Sequence, residues 1–281
     1  MGLTLAFLEY YEMRRGAWGI LKSYLQFRKK CLPKGGYGIH SPFVFELYTN
    51  VIAGNTNEAI FESIEAYRKE MLSCDIGIIR KSVAESLNGG FRGELVKLSR
   101  IARTVSVPPH LGRLLYRLVK HFQPQVMLEL GTSVGISSMY MAQANPNGTL
   151  YTIEGNEAVF GIAQKRFQAM GLTNIKPICG TFETELPHLA KKVSNFDFVF
   201  IDGDHNGTKL LQYFNVILSK LNENSIVMVD DIRWSNDMED AWRELKANRQ
   251  VSVSIDLFRC GVLFFRHGIA KQNFILRYGP F

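Results

Sequence analysis

Between residues 125 and 267, short apolar runs alternate with amphipathic stretches. "QVMLEL", "TLYTIE", "NIKPIC", "FDFVFID" and "SIVMVDD" have the length and composition of strands buried on both faces. The segments near 136–144, 156–170, 182–192, 207–221 and 235–247 between them have the character of helices. Strand and helix taking turns predicts a parallel sheet covered by helices. The pattern ends differently. "VSVSIDL" and "GVLFFRH" are separated only by "FRC", too short for a helical crossover and suited to an antiparallel hairpin.

Residues 1 to about 122 read as helices and loops. "HSPFVFELYTNVI" offers Ser41 as an N-cap with Pro42 at the first helical position, and "NEAIFESIEAYRKEML" has helical apolar spacing. "CLPKGGYGIH" and "ESLNGGFRGE" are glycine-rich breaks. In "RRGAWGILKSYLQFRKK", Trp18, Leu21 and Leu25 share one face of a helix with several cations off it. That arrangement predicts a helix docking its apolar stripe on the protein or on a partner subunit, and makes a homodimer plausible; a segment of this kind can also lie on an anionic membrane or on nucleic acid.

Composition narrows the class. With 281 residues and 46% hydrophobic positions the chain can bury a full core. No apolar run reaches the roughly 18 to 20 residues of a membrane span, and the N-terminus lacks the signature of a signal peptide. Cys31, Cys74, Cys179 and Cys260 lie far apart with no C-x-x-C, which argues against a zinc knuckle or a disulfide framework and for a reducing cytoplasm. Residues 1–40 carry seven Lys or Arg against Glu9 and Glu12, so +5 of the formal +7 sits there and +2 on the rest. The nearly neutral remainder lacks the broad cationic face needed to track phosphates, which disfavours nucleic acid as a partner.

The chemistry concentrates at strand ends. "LELGTSVGIS" contains Gly131-Thr132-Ser133-Val134-Gly135, which fits the G-x-S-x-G elbow of a serine hydrolase, with Asp230 and His267 able to follow in triad order. The same letters read as an acid closing a strand, then a glycine turn opening a helix. Gly131 and Gly135 allow backbone to approach a ligand closely, and the helix start offers free N–H groups. Glu154 ends the next strand, where a carboxylate can accept both hydroxyls of a ribose. An E-x-G-x-x-x-G turn in place of G-x-G-x-x-G points away from NAD. The ligand-loop reading explains more residues than the elbow, which lacks preceding strands and an oxyanion segment.

In these residues the sequence resembles a class I S-adenosylmethionine-dependent methyltransferase, over roughly residues 107–267. The likeness is to the small-molecule O-methyltransferases related to catechol, caffeoyl-CoA and sugar enzymes. The resemblance implies that Glu129 and the backbone around Gly131, Ser133 and Gly135 hold the methionine end, and that Ser137 meets its carboxylate. It implies that Glu154 binds the ribose, that Gly180, Thr181 and Phe182 frame the adenine, and that Asp202 also touches the cofactor. It further implies a Rossmann-like seven-stranded sheet of order 3-2-1-4-5-7-6 with the last strand antiparallel.

"FVFIDGDHN" and "VMVDDIRW" place Asp202, Asp204, Asp230 and Asp231 near the carboxyl edges of neighbouring strands. Converging carboxylates repel unless protonated or bridged by a cation, and Mg²⁺ or another hard divalent ion suits carboxylate oxygens. The metal-dependent relatives imply Asp202, Asp230 and Asp231 as ligands. The D-D pair replaces the usual D-N of the catechol branch, and His205 stands where that branch has a lysine. The sugar branch, with D-G-D and D-D, implies Asp204 as base, with His205 the second choice. Asp202 touching only the cofactor, with Asp230 and Asp231 capping the next helix and no metal bound, is the plainer alternative. Trp234 reads either as a wall for the acceptor or as packing at a helix start.

The expected architecture is therefore a mainly helical region over 1–106, serving as a lid or dimer element, and a methyltransferase domain over 107–281. The expected activity is O-methylation of a small hydroxylated acceptor with cation assistance. A cofactor-binding regulatory protein without turnover, an RNA methyltransferase and a serine hydrolase are the alternatives.

Overall fold

The computed structural model of the chain describes residues 5–32, 38–56, 58–80 and 94–279. Its first half contains α1 (Leu5–Lys30), α2 (Pro42–Leu47), α3 (Ala59–Ser73), β1 (Gly77–Arg80), β2 (Glu94–Lys97), α4 (Leu98–Val105) and α5 (Pro109–Phe122). Ser41 accepts the Val44 N–H at 3.5 Å, and Pro42 opens α2, as that pattern requires. The antiparallel pair β1–β2 was not expected in a region read as helices and loops. Each strand has only four residues, too few to show a period. Most of "ESLNGGFRGE" and part of "CLPKGGYGIH" lie outside the described residues.

The second half alternates as the hydrophobic pattern requires. It runs β3 (Val126–Leu130), α6 (Ile136–Ala144), β4 (Thr149–Glu154), α7 (Glu157–Ala169), β5 (Ile175–Cys179) and α8 (Phe182–Lys192). It continues with β6 (Phe198–Ile201), α9 (Gly207–Leu218), β7 (Ile226–Val229), α10 (Asn236–Ala247), β8 (Val253–Asp256), β9 (Gly261–Phe264) and β10 (Gln272–Ile275). Every residue of β6 and β7 is buried, which is why these strands read as continuous apolar runs.

The main sheet has eight strands in the order β10-β8-β9-β7-β6-β3-β4-β5. Without β10 this is the expected 3-2-1-4-5-7-6 order, and β9 runs antiparallel to both β7 and β8. The eighth strand, β10, pairs parallel with β8 at the edge. Its residues are only half-buried, so its sequence carries no apolar run.

The chain divides into two compact units. One comprises Thr56–Gln125 and Glu129–Glu185. Within it α5 packs along α6 so closely that a Cβ on Gly112 would strike the Tyr140 ring. Phe61 of α3 meets Tyr116 edge-on at 4.9 Å, and Tyr140 donates to Glu65 at 2.8 Å. The region before residue 107 thus contributes α3 and α4 to the same unit as the first glycine turn.

The other unit comprises Met1–Asn55, Val126–Leu128 and Leu186–Phe281. Here the α1 stripe differs from the one expected. Ile20, Tyr24 and Phe27 are buried and pack with Phe258, whereas Trp18 is 84% and Leu25 52% exposed. Two faces of α1 carry apolar residues, and periodicity alone does not select between them. Arg233 forms a buried bidentate pair with Asp256 at 2.8 and 2.7 Å, and its guanidinium lies 5.5 Å from the centre of the Phe27 ring. Among the described residues no helix is long and apolar enough to cross a membrane.

Candidate active site

The turn after β3 is built from residues that tolerate left-handed backbone. Gly131 has φ 107°, Ser133 φ 48° and Gly135 φ 85°. Gly135 also has no room for a side chain, since a Cβ there would lie 2.5 Å from the Phe167 ring of α7. It caps α6 without a side-chain hydrogen bond, so the first N–H groups of that helix face the turn without a capping side chain.

Glu129 is fully buried behind this turn. Its Oε2 accepts from the hydroxyls of Ser138 and Thr152, the latter at 2.6 Å. Oε1 has no hydrogen-bond partner. Burial pushes the carboxyl up to about 7, although the nearby Ser137, Ser138 and Thr152 hydroxyls favour the anion. A buried carboxylate oxygen without a donor costs free energy and fits a cationic ligand group such as an ammonium.

Glu154 ends β4 beside the same turn. Its Oε2 accepts the Ser133 N–H and its Oε1 the Asn156 N–H, each at 2.8 Å. The carboxylate is thereby fixed in orientation. The Gly180 N–H donates to the Glu154 carbonyl at 3.0 Å, which ties the end of β5 to the end of β4 and brings Thr181 and Phe182 after it. Ser137 is buried in the first turn of α6. The cofactor candidates from Glu129 to Phe182 thus line three successive strand ends of one unit.

Sequence reasoning missed Tyr67. Its hydroxyl donates to the Val134 carbonyl at 3.1 Å inside the turn, with Arg166 stacked 4.3 Å from its ring centre, and burial raises the phenol to about 12. Tyr67 lies far upstream on α3 with no motif around it, so only the fold reveals the contact. Tyr67→Phe should cost about 1 kcal/mol of stability and weaken ligand binding at the turn a few-fold, read by urea unfolding and calorimetry.

The other unit holds the acidic cluster. Asp202 follows β6, and Asp230 and Asp231 follow β7, all buried. Asp204, His205 and Asp231 have φ of 61°, 43° and 52°, uncommon for residues other than glycine and a store of backbone strain. Asp237 fixes the loop by accepting the Gly207 N–H at 2.5 Å, and Asn206 caps α9 through the Lys209 N–H at 2.9 Å. Asp202, His205 and Asp231 each offer a ligand atom, and these atoms lie within 4.8 Å of one another. Two carboxylates and an imidazole form a reasonable donor set for a divalent ion.

Asp230 stands apart from that group. Arg259 Nε lies 3.0 and 3.1 Å from its two oxygens, and Nη2 lies 2.8 Å from Oδ2. Burial raises the Asp230 carboxyl, with Arg259 pulling it back. Asp204 accepts from Tyr213 at 2.5 Å and Lys209 at 3.2 Å, both on Oδ2. The Trp234 ring centre lies 5.1 Å from that of His205, and the side chain packs against the Ile20–Phe258 cluster, as its reading as packing at a helix start requires.

The hydrolase arrangement is not assembled. Ser133 Oγ is buried without a hydrogen-bond partner, His267 is exposed and sits 3.4 Å from Glu223, and Asp230 is taken by Arg259. A nucleophilic serine needs a base within hydrogen-bond reach.

Residues 128–232 match the methyltransferase domain family. That stretch is a methyltransferase domain, and the chain is similar to O-methyltransferases beyond it. It is 29% identical over 179 residues to a catechol O-methyltransferase of Niastella koreensis, covering 63% of this chain and 75% of that one. It is 35% identical over 95 residues to the Bos taurus catechol O-methyltransferase, covering 32% of this chain and 35% of the bovine protein. Among solved structures, an O-methyltransferase of Streptomyces achromogenes in complex with SAM has a TM-score of 0.53 at 20% identity, over 75% of this chain and all of that one. The Bacillus cereus O-methyltransferase in complex with SAH also reaches 0.53, at 18% identity, over 78% and 94% of the two chains. The matched residues 128–232 include both the glycine turn and the acidic strand ends.

Proposed function

We propose that the chain transfers a methyl group from S-adenosylmethionine to a hydroxyl of a small diol or phenol, with a divalent cation orienting the acceptor. The observation that carries the donor assignment is the unpartnered Glu129 Oε1 buried behind the glycine turn. The relatives named for catechol support the acceptor class. The four free cysteines suit a reducing cytoplasm, where we place the protein.

When bound, S-adenosylmethionine supplies an electrophilic methyl group, and the cation lowers the pKa of the acceptor hydroxyl. Glu129 would accept the methionine ammonium and Ser137 would meet its carboxylate. Glu154 would accept the ribose hydroxyls, while Gly180, Thr181 and Phe182 would frame the adenine. Asp202, His205 and Asp231 would hold the cation. Asp204 is outside that group and takes the acceptor proton, its orientation fixed through Oδ2 by Tyr213 and Lys209. A carboxylate is a sufficient base for a hydroxyl that is already polarised.

Methyl-labelled S-adenosylmethionine incubated with the protein, catechol and Mg²⁺ tests the assignment. Label should appear in the acceptor, and excess EDTA should reduce its formation at least about 100-fold, with recovery on adding back the ion. Equal transfer in EDTA would remove the cation from the account. Binding of the cofactor without transfer to any diol or phenol would leave a regulatory protein.

A further inference from the structure

Asp230 and Asp231 are adjacent in sequence and equally buried, yet the fold treats them differently. Arg259 meets both oxygens of Asp230, whereas its nearest approach to Asp231 is 3.5 Å, on Oδ1. Asp231 Oδ2 lies 3.8 Å from His205 Nδ1.

Arg259 is held in place by the turn that carries it. Its carbonyl accepts the Ile232 N–H at 3.0 Å, its N–H donates to Leu257 at 3.1 Å, and Leu257 N–H donates to Cys260 at 2.9 Å. The preceding Phe258 has φ 74° and is wedged edge-on against Tyr24 and Phe27, each at 5.2 Å. Its carbonyl accepts from Arg233 at 2.7 Å. Giving Asp230 to a cation would mean withdrawing a guanidinium whose backbone is anchored on several sides, or leaving that largely buried guanidinium without its closest carboxylate.

We propose that Arg259 is a fixed counter-ion that keeps Asp230 out of the coordination shell, so that the cation is bound by Asp202, His205 and Asp231. This rests on the cation assignment above and departs from the Asp202, Asp230 and Asp231 set that the resemblance implies, replacing a third carboxylate with an imidazole. Two consequences follow from the chemistry. The Asp230–Arg259 pair is neutral, so the two remaining carboxylates match one divalent charge. An imidazole ligand favours Mn²⁺ or Co²⁺ over Mg²⁺, which prefers oxygen.

The test uses Mn²⁺ alone, followed by the electron paramagnetic resonance signal of the free aquo ion, with no turnover required. Wild type should bind Mn²⁺ at least tenfold more tightly than Mg²⁺ in competition. Asp231→Asn and His205→Gln should each weaken Mn²⁺ at least tenfold. The double variant Asp230→Asn/Arg259→Gln replaces the ion pair with a neutral one and should change Mn²⁺ affinity less than threefold, whereas Asp230→Asn alone would leave Arg259 uncompensated 3.5 Å from Asp231 and weaken cation binding through its charge. S-adenosylmethionine binding reports folding in every variant. Loss of Mn²⁺ in Asp230→Asn/Arg259→Gln equal to that in Asp231→Asn, or unchanged affinity in His205→Gln, would overturn the assignment while leaving the cation reading intact. No Mn²⁺ binding by wild type that binds the cofactor would overturn both.

Discussion

Glu129→Gln should weaken S-adenosylmethionine binding about 100-fold. Removing the charge from a buried pair costs roughly 2–5 kcal/mol, and each 1.4 kcal/mol is a factor of ten. The wild-type protein should itself show a pH signature. Because the Glu129 carboxyl sits at about 7 in the cofactor-free fold and the anion is the binding form, affinity should fall about tenfold from pH 8 to pH 6. Stability runs the opposite way. As pH rises from 4.5 to about 7, the unfolded chain ionises this group before the folded chain does, so stability is lost across that window, by about 3 kcal/mol at most. The Gln variant lacks this component. Urea unfolding of both proteins at pH 5 and pH 8, without cofactor, separates the two behaviours; an identical pH response in the two would contradict the raised carboxyl.

Gly135→Ala carries the second large effect. The new Cβ would meet Phe167 at 2.5 and 2.7 Å, at a backbone φ of 85° that disfavours any L side chain. Left-handed strain costs roughly 1–2 kcal/mol and overpacking roughly 1–3, so unfolding free energy should drop by about 3 kcal/mol. Cofactor affinity should fall with it, since the turn must shift to relieve the clash. Gly161→Ala is the control in the same unit. Its Cβ meets nothing within 4 Å in the interior of α7, and the change should stabilise by roughly 0.5–1 kcal/mol. Destabilisation by Gly161→Ala equal to that by Gly135→Ala would show that α7, not the turn, is the sensitive element.

The alternating sheet was legible because burial on both faces leaves strands such as "FVFI" and "IVMV" uniformly apolar, and the "FRC" spacing allows only a hairpin. The edge strand β10 and the β1–β2 pair were not legible, because short, half-exposed strands carry no periodic signal. The docking face of α1 was misassigned for a related reason. Trp18, Leu21 and Leu25 make as good a stripe on paper as Ile20, Tyr24 and Phe27, and only Phe258, far downstream, decides between them. In the site, motif spacing located Glu129, Glu154 and the acidic strand ends. Spacing carries no information on partners that arrive from distant turns. Arg259 on Asp230 and Tyr67 on Val134 are side-chain contacts across sequence gaps of 29 and 67 residues.

Calorimetric titration at pH 8 measures most directly whether the turn after β3 and the end of β4 form the S-adenosylmethionine site. Wild type should bind one equivalent, and Glu154→Gln, which removes one of the two acceptor oxygens offered to the ribose, should bind at least tenfold more weakly. A folded wild-type protein that gives no heat, or a Glu154→Gln variant that binds as tightly as wild type, would contradict that assignment.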